Sequence, residues 1–135
     1  MTLPFLDTNV LLRHLADDHI EHSPRSSVFL ARIERGELSV RIADSVVFET
    51  VFTLQTHYKR TRNVIRSAVF PIIELPGIVL PAKSRWKRAF DLYVGTTLSL
   101  VDAHLVATME DLCVDTIVSF DKGFDKIAGI TRIEP

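Results

Sequence analysis

Residues 3–15 read LPFLDTNVLLRHL, an apolar run that ends in an acid and is followed by two polar residues and a second apolar run. Leu3–Leu6 are predicted to form a short buried strand, in which Pro4 is tolerated because it lies near the start. Asn9 is predicted to cap a helix that runs to about Ala16, since apolar residues recur there at helical spacing. Asp7 therefore lies at the junction of a strand and a helix. A carboxylate at this position does not contribute to a hydrophobic core, so it requires another explanation.

Apolar runs and helix caps alternate along the rest of the chain, with Thr61 and Ser99 as two of the caps. The strand at 116–119 is predicted to be buried. Strands that alternate with helices are typical of an α/β fold with a largely parallel sheet. No repeat, low-complexity tract or linker interrupts the pattern, so residues 1–135 are predicted to form a single domain. The pattern predicts further helices at 24–35, 45–58, 62–70, 82–94 and 100–112, a turn or short helix at 121–128, and further strands at 38–43, 78–80, 116–119 and 130–133.

The composition is that of an ordinary globular protein, with 47% hydrophobic and 24% charged residues. The single cysteine, Cys113, excludes an internal disulfide framework and a metal site built from several thiolates. The opening residues lack the basic region and the small-residue cleavage site of a signal peptide. No apolar run approaches the ~18 residues of a transmembrane helix. We therefore expect a soluble cytoplasmic protein that does not enter the membrane.

The formal net charge of −1 hides an uneven distribution of charge. Between Lys59 and Phe90 there are eight basic residues and one acid, Glu74, whereas the remainder carries eight basic and sixteen acidic residues. This asymmetry favours a positive face that binds a polyanion, although two solvated helix faces would give the same pattern. The basic residues of this region are Lys59, Arg60, Arg62, Arg66, Lys83, Arg85, Lys87 and Arg88.

Three later acids resemble Asp7 in lying beside apolar segments. Glu49 interrupts VVFETVF, Asp102 interrupts LSLVDAHLVA, and Asp121 follows TIVSF. Acids in such surroundings are usually paired or metal-bound, because removing a carboxylate from water is costly. Asp7 and Asp121 follow predicted strands, where open parallel sheets hold their ligands. If the four acids converge, a hard divalent cation such as Mg²⁺ or Mn²⁺ would offset their mutual repulsion.

Each acid also has an ordinary local interpretation. Asp7 could serve as a helix N-cap near Asn9, and Glu49 could be an exposed helix residue whose neighbours only look buried. Asp102 could be a first-turn acid favoured by the helix dipole, and Asp121 could belong to a turn. The hypothesis of a shared site depends on the four acids occurring together and in this order.

The chain resembles PIN-domain nucleases, and more narrowly the VapC-type toxins of bacterial and archaeal toxin–antitoxin pairs. The resemblance rests on FLDTNVLLRHL, VVFETVFTL, LSLVDAHLVATMEDL and IVSFDKGFDKI, and it extends from Leu3 to Ile133. It implies a three-layer α/β/α sandwich around a mostly parallel sheet. It also implies an Mg²⁺- or Mn²⁺-dependent endoribonuclease that cleaves structured RNA of the tRNA or rRNA class. A toxin of this kind implies a cognate antitoxin and a homodimer.

The resemblance also implies roles for individual residues. Asn9 and Ser119 match polar residues that support the family's acids, and Arg13 matches a basic residue that could touch RNA. Many relatives carry another acid where this chain has Gly123, and Asp125 is the nearest substitute. The residues that match the family's acidic quartet, and hence its metal ligands and catalytic residues, are Asp7, Glu49, Asp102 and Asp121.

We hypothesise that Asp7 and Asp102 are the most direct metal ligands, and that Glu49 and Asp121 bind through waters or hold a second ion. The basic residues around 59–66 and 83–88 would hold the RNA backbone. A receiver domain or a haloacid-dehalogenase-like phosphatase would need a second acid near the first strand, where this chain has Asn9. A PIN nuclease that processes RNA without being a toxin, and a PIN-like binding module without catalysis, are alternative interpretations.

Overall fold

The computed structural model describes residues 2–135. The backbone contacts divide the chain into two compact units, unit 1 over residues 1–83 and unit 2 over residues 84–135. Unit 1 contains four helices and two strands, namely α1 (Thr8–Ala16), α2 (His22–Glu34), β1 (Val40–Arg41), α3 (Asp44–Thr56), α4 (Arg62–Ile73) and β2 (Ile78–Val79). Unit 2 contains α5 (Lys83–Gly95, starting at the boundary), α6 (Leu100–Asp111), β3 (Thr116–Val118), a 3-10 helix (Lys122–Lys126) and β4 (Thr131–Ile133).

The sheet of unit 1 is parallel, with Val40 paired to Ile78. The segment before α1 joins this sheet through one parallel bridge between Phe5 and Arg41. The Leu6 N–H donates to the Arg41 carbonyl at 2.8 Å, and the Arg41 N–H donates to the Pro4 carbonyl at 2.8 Å. The predicted extended segment is therefore present and parallel, but it is reduced to a single bridge.

The prediction that Leu3–Leu6 are buried was wrong for most of that segment. Leu6 is 5% exposed, whereas Phe5 is 69% exposed and Leu3 is only half-buried. Successive side chains of an extended segment point to opposite faces. The face that carries Leu6 is covered by the core of unit 1, and the opposite face carries Phe5.

The helices of unit 1 follow the predicted order, with shifts at their ends. The first helix begins at Thr8, so Asp7 rather than Asn9 occupies its N-cap position. The Thr61 hydroxyl accepts a hydrogen bond from the Val64 N–H, which confirms the predicted cap of α4. That helix continues through Pro71 to Ile73 instead of ending at Phe70.

Unit 2 is built on two helices and a second parallel pair of strands. The Ser99 hydroxyl accepts from the Asp102 N–H at 3.1 Å, which confirms the predicted cap of α6. Trp86 of α5 is fully buried, and its ring centroid lies 4.4 Å from that of His104 on α6. The strands pair in parallel, with Ile117 opposite Arg132.

The prediction of a buried strand at 116–119 was wrong. In β3 only Ile117 is half-buried, and Val118 is 62% exposed. An apolar run shows that a strand could be buried, but it does not show what covers the strand.

Helices that alternate with parallel strands make this an α/β fold, as predicted. Among residues 2–135, no helix combines the length and the apolar character that crossing a bilayer requires.

Candidate functional site

Asp7 occupies the N-cap position of α1 without acting as a cap. Its backbone is extended, with φ −84° and ψ 152°, but its side chain accepts no hydrogen bond from the helix. The carboxylate is exposed and has no side-chain partner within residues 2–135. Its neighbours Leu6 and Thr8 are 5% and 3% exposed, so the backbone that carries it is fixed in the core. The carboxylate is therefore available to a ligand.

Glu49 lies in the second turn of α3 and is tied to the start of α1. The Thr8 hydroxyl donates to Glu49 Oε2 at 3.1 Å. This hydrogen bond brings the Glu49 carboxylate next to the residue that follows Asp7. Asn9 is among the supporting residues predicted from the sequence, whereas Thr8 is not. The sequence did offer a signal for Thr8, because its hydroxyl lies between an acid and an apolar helix in a segment predicted to be buried.

Asn9 and Arg13 line a cleft of about 1020 Å³ between α1 and α2. The Asn9 side chain is exposed and has no hydrogen-bond partner within the described chain. The Arg13 guanidinium lies 3.6 Å from Asp18. Arg25 also lines the cleft, exposed and without an ion-pair partner in the described residues. Asp7 also lines this cleft, which carries more basic than acidic side chains. The other lining residues include Phe5, His22, Phe29 and Arg32.

Asp102 is the third residue of α6, in unit 2. Its N–H donates to Ser99, and the next residue, Ala103, is fully buried. The half-buried carboxylate has no partner among residues 2–135. Its place in the first turn also suits the helix dipole, so the local interpretation accounts for the position but not for the lack of a partner.

Asp121 begins the 3-10 helix of unit 2. Its Oδ1 accepts from the Gly123 N–H at 2.8 Å, and its own N–H donates to the Ser119 hydroxyl at 3.0 Å. Asp121 is thus a turn aspartate with one engaged oxygen, and Oδ2 accepts no hydrogen bond from the described residues. A side chain on Gly123 would place its Cβ 3.0 Å from Oδ1, so the absent acid at this position leaves room for the Asp121 carboxylate.

Asp125 is engaged in an ion pair. The Arg132 Nε donates to its Oδ1 at 2.8 Å and the Nη2 donates to its Oδ2 at 3.1 Å. The guanidinium holds the pKa of Asp125 below its ordinary value of 3.8. Each oxygen of Asp125 therefore already accepts a hydrogen bond from Arg132 within unit 2.

The predicted RNA-binding residues differ in how free they are. Lys59 and Arg60 are exposed and form no ion pair within residues 2–135. The Lys83 amine donates to the Leu75 carbonyl at 3.0 Å, and burial lowers its pKa. Arg62 already takes part in an interaction within the chain. Three further cations of α5 are paired with acids, as Arg85–Asp111 at 2.7 Å, Lys87–Asp91 at 3.3 Å and Arg88–Glu110 at 2.8 Å.

The four candidate ligands are divided between the units, Asp7 and Glu49 in unit 1 and Asp102 and Asp121 in unit 2. Within the described chain, no three His, Cys, Asp or Glu side chains form a group that could hold a metal ion. The donors are all carboxylate oxygens, and each of the four carries at least one oxygen without a protein partner among residues 2–135. This donor chemistry fits a hard divalent cation such as Mg²⁺ or Mn²⁺.

The PIN domain family matches residues 5–130, a range that covers most of both units and all four acids. No curated protein matches the chain.

Proposed function

The chain belongs to the PIN domain family, and we propose that it is a divalent-metal-dependent endoribonuclease that acts as the toxin of a toxin–antitoxin pair. PIN domains are commonly nucleases that bind RNA and use divalent metals, so the family supports phosphodiester hydrolysis. The proposal adds the RNA substrate, the toxin role and the residues that carry the reaction.

The lack of a cap interaction at Asp7 carries the proposal. An aspartate at an N-cap normally accepts a helix N–H, which stabilises the protein by about 1 kcal/mol. Asp7 has the position and the backbone conformation of a cap but forgoes this hydrogen bond. Both oxygens of this carboxylate thus remain available to a ligand, and the cleft that Asp7 lines gives a ligand room to bind.

The engagement of the four acids suggests a division of roles. We assign direct metal ligation to Asp7 and Asp102, because their carboxylates have no partner within residues 2–135. Glu49 and Asp121 each accept one hydrogen bond, from Thr8 and Gly123 respectively. These bonds orient one oxygen of each carboxylate and leave the other for a metal or for its waters.

The expected chemistry follows from the type of donor atom. A divalent cation held by these carboxylates would offset the negative charge that develops on a phosphodiester during hydrolysis. The protein's own part is to fix the carboxylates and to bring the RNA to them. Thr8 fixes Glu49, and the turn that starts at Ser119 fixes Asp121.

RNA binding is assigned to the basic residues that remain free. Lys59 and Arg60 have no ion-pair partner in the described chain, and neither does Arg25 in the cleft beside Asp7. Free guanidinium and ammonium groups bind phosphates without first breaking an ion pair. The paired cations of α5 are weaker candidates for this role.

The finer features of the proposal follow the VapC-type resemblance. We propose a three-layer α/β/α sandwich formed by one domain over residues 1–135, a structured RNA substrate of the tRNA or rRNA class, a cognate antitoxin, a homodimer and a cytoplasmic location. Two alternatives are an RNA-processing nuclease without a toxin role and a binding module without catalysis. The experiments distinguish both from the proposed toxin.

Cleavage of labelled RNA by the full chain tests the proposal, with Mn²⁺ or Mg²⁺ added and with EDTA as the metal-free condition. We expect Asp7→Asn and Asp102→Asn each to lower the rate by about 100-fold or more, and EDTA to abolish it. Asp17→Asn and Asp115→Asn are matched controls that change the same functional group in each unit. Asp17 adopts a φ of 50°, which asparagine tolerates.

Unchanged cleavage by both Asp7→Asn and Asp102→Asn would contradict the proposed site. RNA binding without cleavage by the wild-type chain at any metal concentration would indicate a binding module. Cleavage that leaves host growth unaffected on expression, with no partner protein that inhibits it, would indicate an RNA-processing nuclease.

A further inference from the structure

Arg132 is an almost buried cation on β4, with a side chain that is 11% exposed. Its guanidinium donates four hydrogen bonds. Two go to Asp125, at 2.8 and 3.1 Å, one goes to the Ser119 carbonyl at 3.0 Å, and one goes to Glu134 at 2.9 Å. Burying a charged group is costly unless its donors are satisfied. The side chain is therefore built into this part of unit 2 rather than lying on its surface.

The contacts of Arg132 enclose the turn that carries Asp121. Ser119 lies two residues before Asp121, and Asp125 lies four residues after it. The Ser119 N–H still donates to the Ile133 carbonyl at 3.0 Å, as in the strand pair, while its carbonyl accepts from Arg132 instead of from the backbone. One side chain thus holds both the end of β3 and the 3-10 helix.

The interior of the turn forms a chain of hydrogen bonds between these two fixed points. The Ser119 hydroxyl accepts from the Asp121 N–H, and Asp121 Oδ1 accepts from the Gly123 N–H. Neither bond is long-range, so neither fixes the turn relative to the strands. The Ser119 N–H ties the start of the turn to β4 through the Ile133 carbonyl, and Arg132 adds a side-chain link that reaches both ends of the turn, because it joins residues seven and thirteen positions away in sequence.

We propose that Arg132 is a positioning residue that sets the geometry of Asp121 as a metal ligand. The inference rests on the proposed function, in which Asp121 is one of the four acids. A planar guanidinium suits this role, because it can hold a carboxylate with two parallel hydrogen bonds and still reach a carbonyl. Lysine has one nitrogen in place of the fork and cannot hold both partners in the same geometry.

The test measures Mn²⁺ binding to the full chain by titration calorimetry. Thermal unfolding of the metal-free protein, and RNA cleavage as a function of Mn²⁺ concentration, are measured on the same samples. We expect Arg132→Met to weaken Mn²⁺ binding about 10-fold to 100-fold, with Arg132→Lys in between. Cleavage should recover largely at high Mn²⁺, because Arg132 acts through Asp121 and does not touch the substrate. Arg35→Met, which removes an arginine–carboxylate pair with Glu37 in unit 1, is the matched control and should bind Mn²⁺ like the wild type.

A lower unfolding temperature together with wild-type Mn²⁺ affinity in both Arg132 variants would overturn the proposal and leave Arg132 a purely structural residue. If Arg132→Met does not fold, Asp125→Asn replaces it, since the amide keeps one acceptor but loses the charge. Wild-type Mn²⁺ affinity in Asp125→Asn would then overturn the proposal.

Asp121→Asn separates this inference from the proposed function. Wild-type Mn²⁺ affinity and wild-type cleavage in Asp121→Asn would show that Asp121 is no ligand, and the site assignment itself would fail. Weakened Mn²⁺ binding in Asp121→Asn but not in the Arg132 variants would overturn only the role of Arg132.

Discussion

The Thr8 hydroxyl donates to Glu49 Oε2 at 3.1 Å, across 41 positions of sequence. Thr8 is 3% exposed, whereas Glu49 is exposed. The Glu49 carboxylate is exposed, so water could satisfy it in place of Thr8, and the hydrogen bond adds little to the stability of the fold. Its main effect is to orient the carboxylate. The hydrogen bond links Thr8, the first residue of α1 and the neighbour of Asp7, to the acid on α3.

Replacing Thr8 with valine removes this hydrogen bond while preserving the shape of the side chain. We expect Thr8→Val to lower RNA cleavage by about 10-fold, because Glu49 loses its fixed orientation. The free energy of unfolding should change by no more than about 1 kcal/mol. Thr8→Ser keeps the hydroxyl and should retain most of the activity. A valine variant that cleaves at the wild-type rate would show that the orientation of Glu49 does not matter.

Replacing Gly123 with alanine tests the space around Asp121. The added Cβ would lie 3.0 Å from Asp121 Oδ1, so the carboxylate must shift by a few tenths of an ångström. We expect Mn²⁺ affinity to fall by about 10-fold, with little change in the unfolding temperature, because alanine also restricts the unfolded chain. Gly95→Ala, with no atom within 4 Å of the added Cβ, is the control. Equal Mn²⁺ affinity in the two variants would contradict the prediction.

The parts of the fold that depend on local interactions were predicted from the sequence. The caps Thr61 and Ser99 bond to N–H groups three residues away, so residue type and spacing are sufficient to predict them. The start of α1 was missed because Thr8 enters the helix with its hydroxyl on Glu49, a contact that spacing does not reveal. The exposure of Phe5 and Val118 was missed for a related reason, since apolar character does not show which elements cover a strand.

The candidate site was predictable to a similar extent. The four acids could be proposed from the sequence because carboxylates stand out beside apolar runs. The roles proposed for Arg132 and Gly123 could not, because they rest on hydrogen-bond geometry and on the space left by a missing side chain. Their roles depend on distances, which a single sequence does not contain.

The lowered pKa of His14 predicts how the stability of the fold depends on pH. Its Nδ1 lies 2.8 Å from the Ser27 hydroxyl, and burial lowers its pKa below the ordinary value of 6.5, although Asp17 and Glu34 act in the opposite direction. In the unfolded chain this histidine takes up a proton at a higher pH than in the folded protein. Folding stability contributed by the neutral ring is therefore complete above 6.5 and falls as the pH drops toward the lowered folded pKa.

We expect the unfolding temperature of the wild type to be lower at about pH 5.5 than at about pH 7.5, and this difference to shrink in His14→Gln. Asp18, Glu37 and Asp125 also have pKa values lowered by ion pairs or hydrogen bonds. Their contribution to stability is lost only below the ordinary pKa values of 3.8 and 4.5, so they do not titrate between about pH 5.5 and about pH 7.5. An equal difference in the wild type and His14→Gln would show that His14 is not responsible.

The salt dependence of RNA binding distinguishes the free basic residues from the paired ones. Lys59 and Arg60 have no ion-pair partner in the described chain, whereas Arg85 and Arg88 are paired with Asp111 and Glu110. With a single-stranded RNA as the probe, each cation that contacts a phosphate releases counterions and adds about 0.7 to the slope of log K against log salt. A paired cation adds less, because the phosphate only replaces a carboxylate that already neutralises it.

We therefore expect the slope to fall by about 1.4 when Lys59→Asn and Arg60→Gln are combined, and by clearly less when Arg85→Gln and Arg88→Gln are combined. Asparagine is chosen for Lys59 because that residue has a φ of 56°, which asparagine tolerates. Filter binding at several salt concentrations, with Asp7→Asn as the background so that the RNA stays intact, measures the slope. Equal slopes in the two double variants would show that ion pairing within the protein does not decide which cations bind RNA.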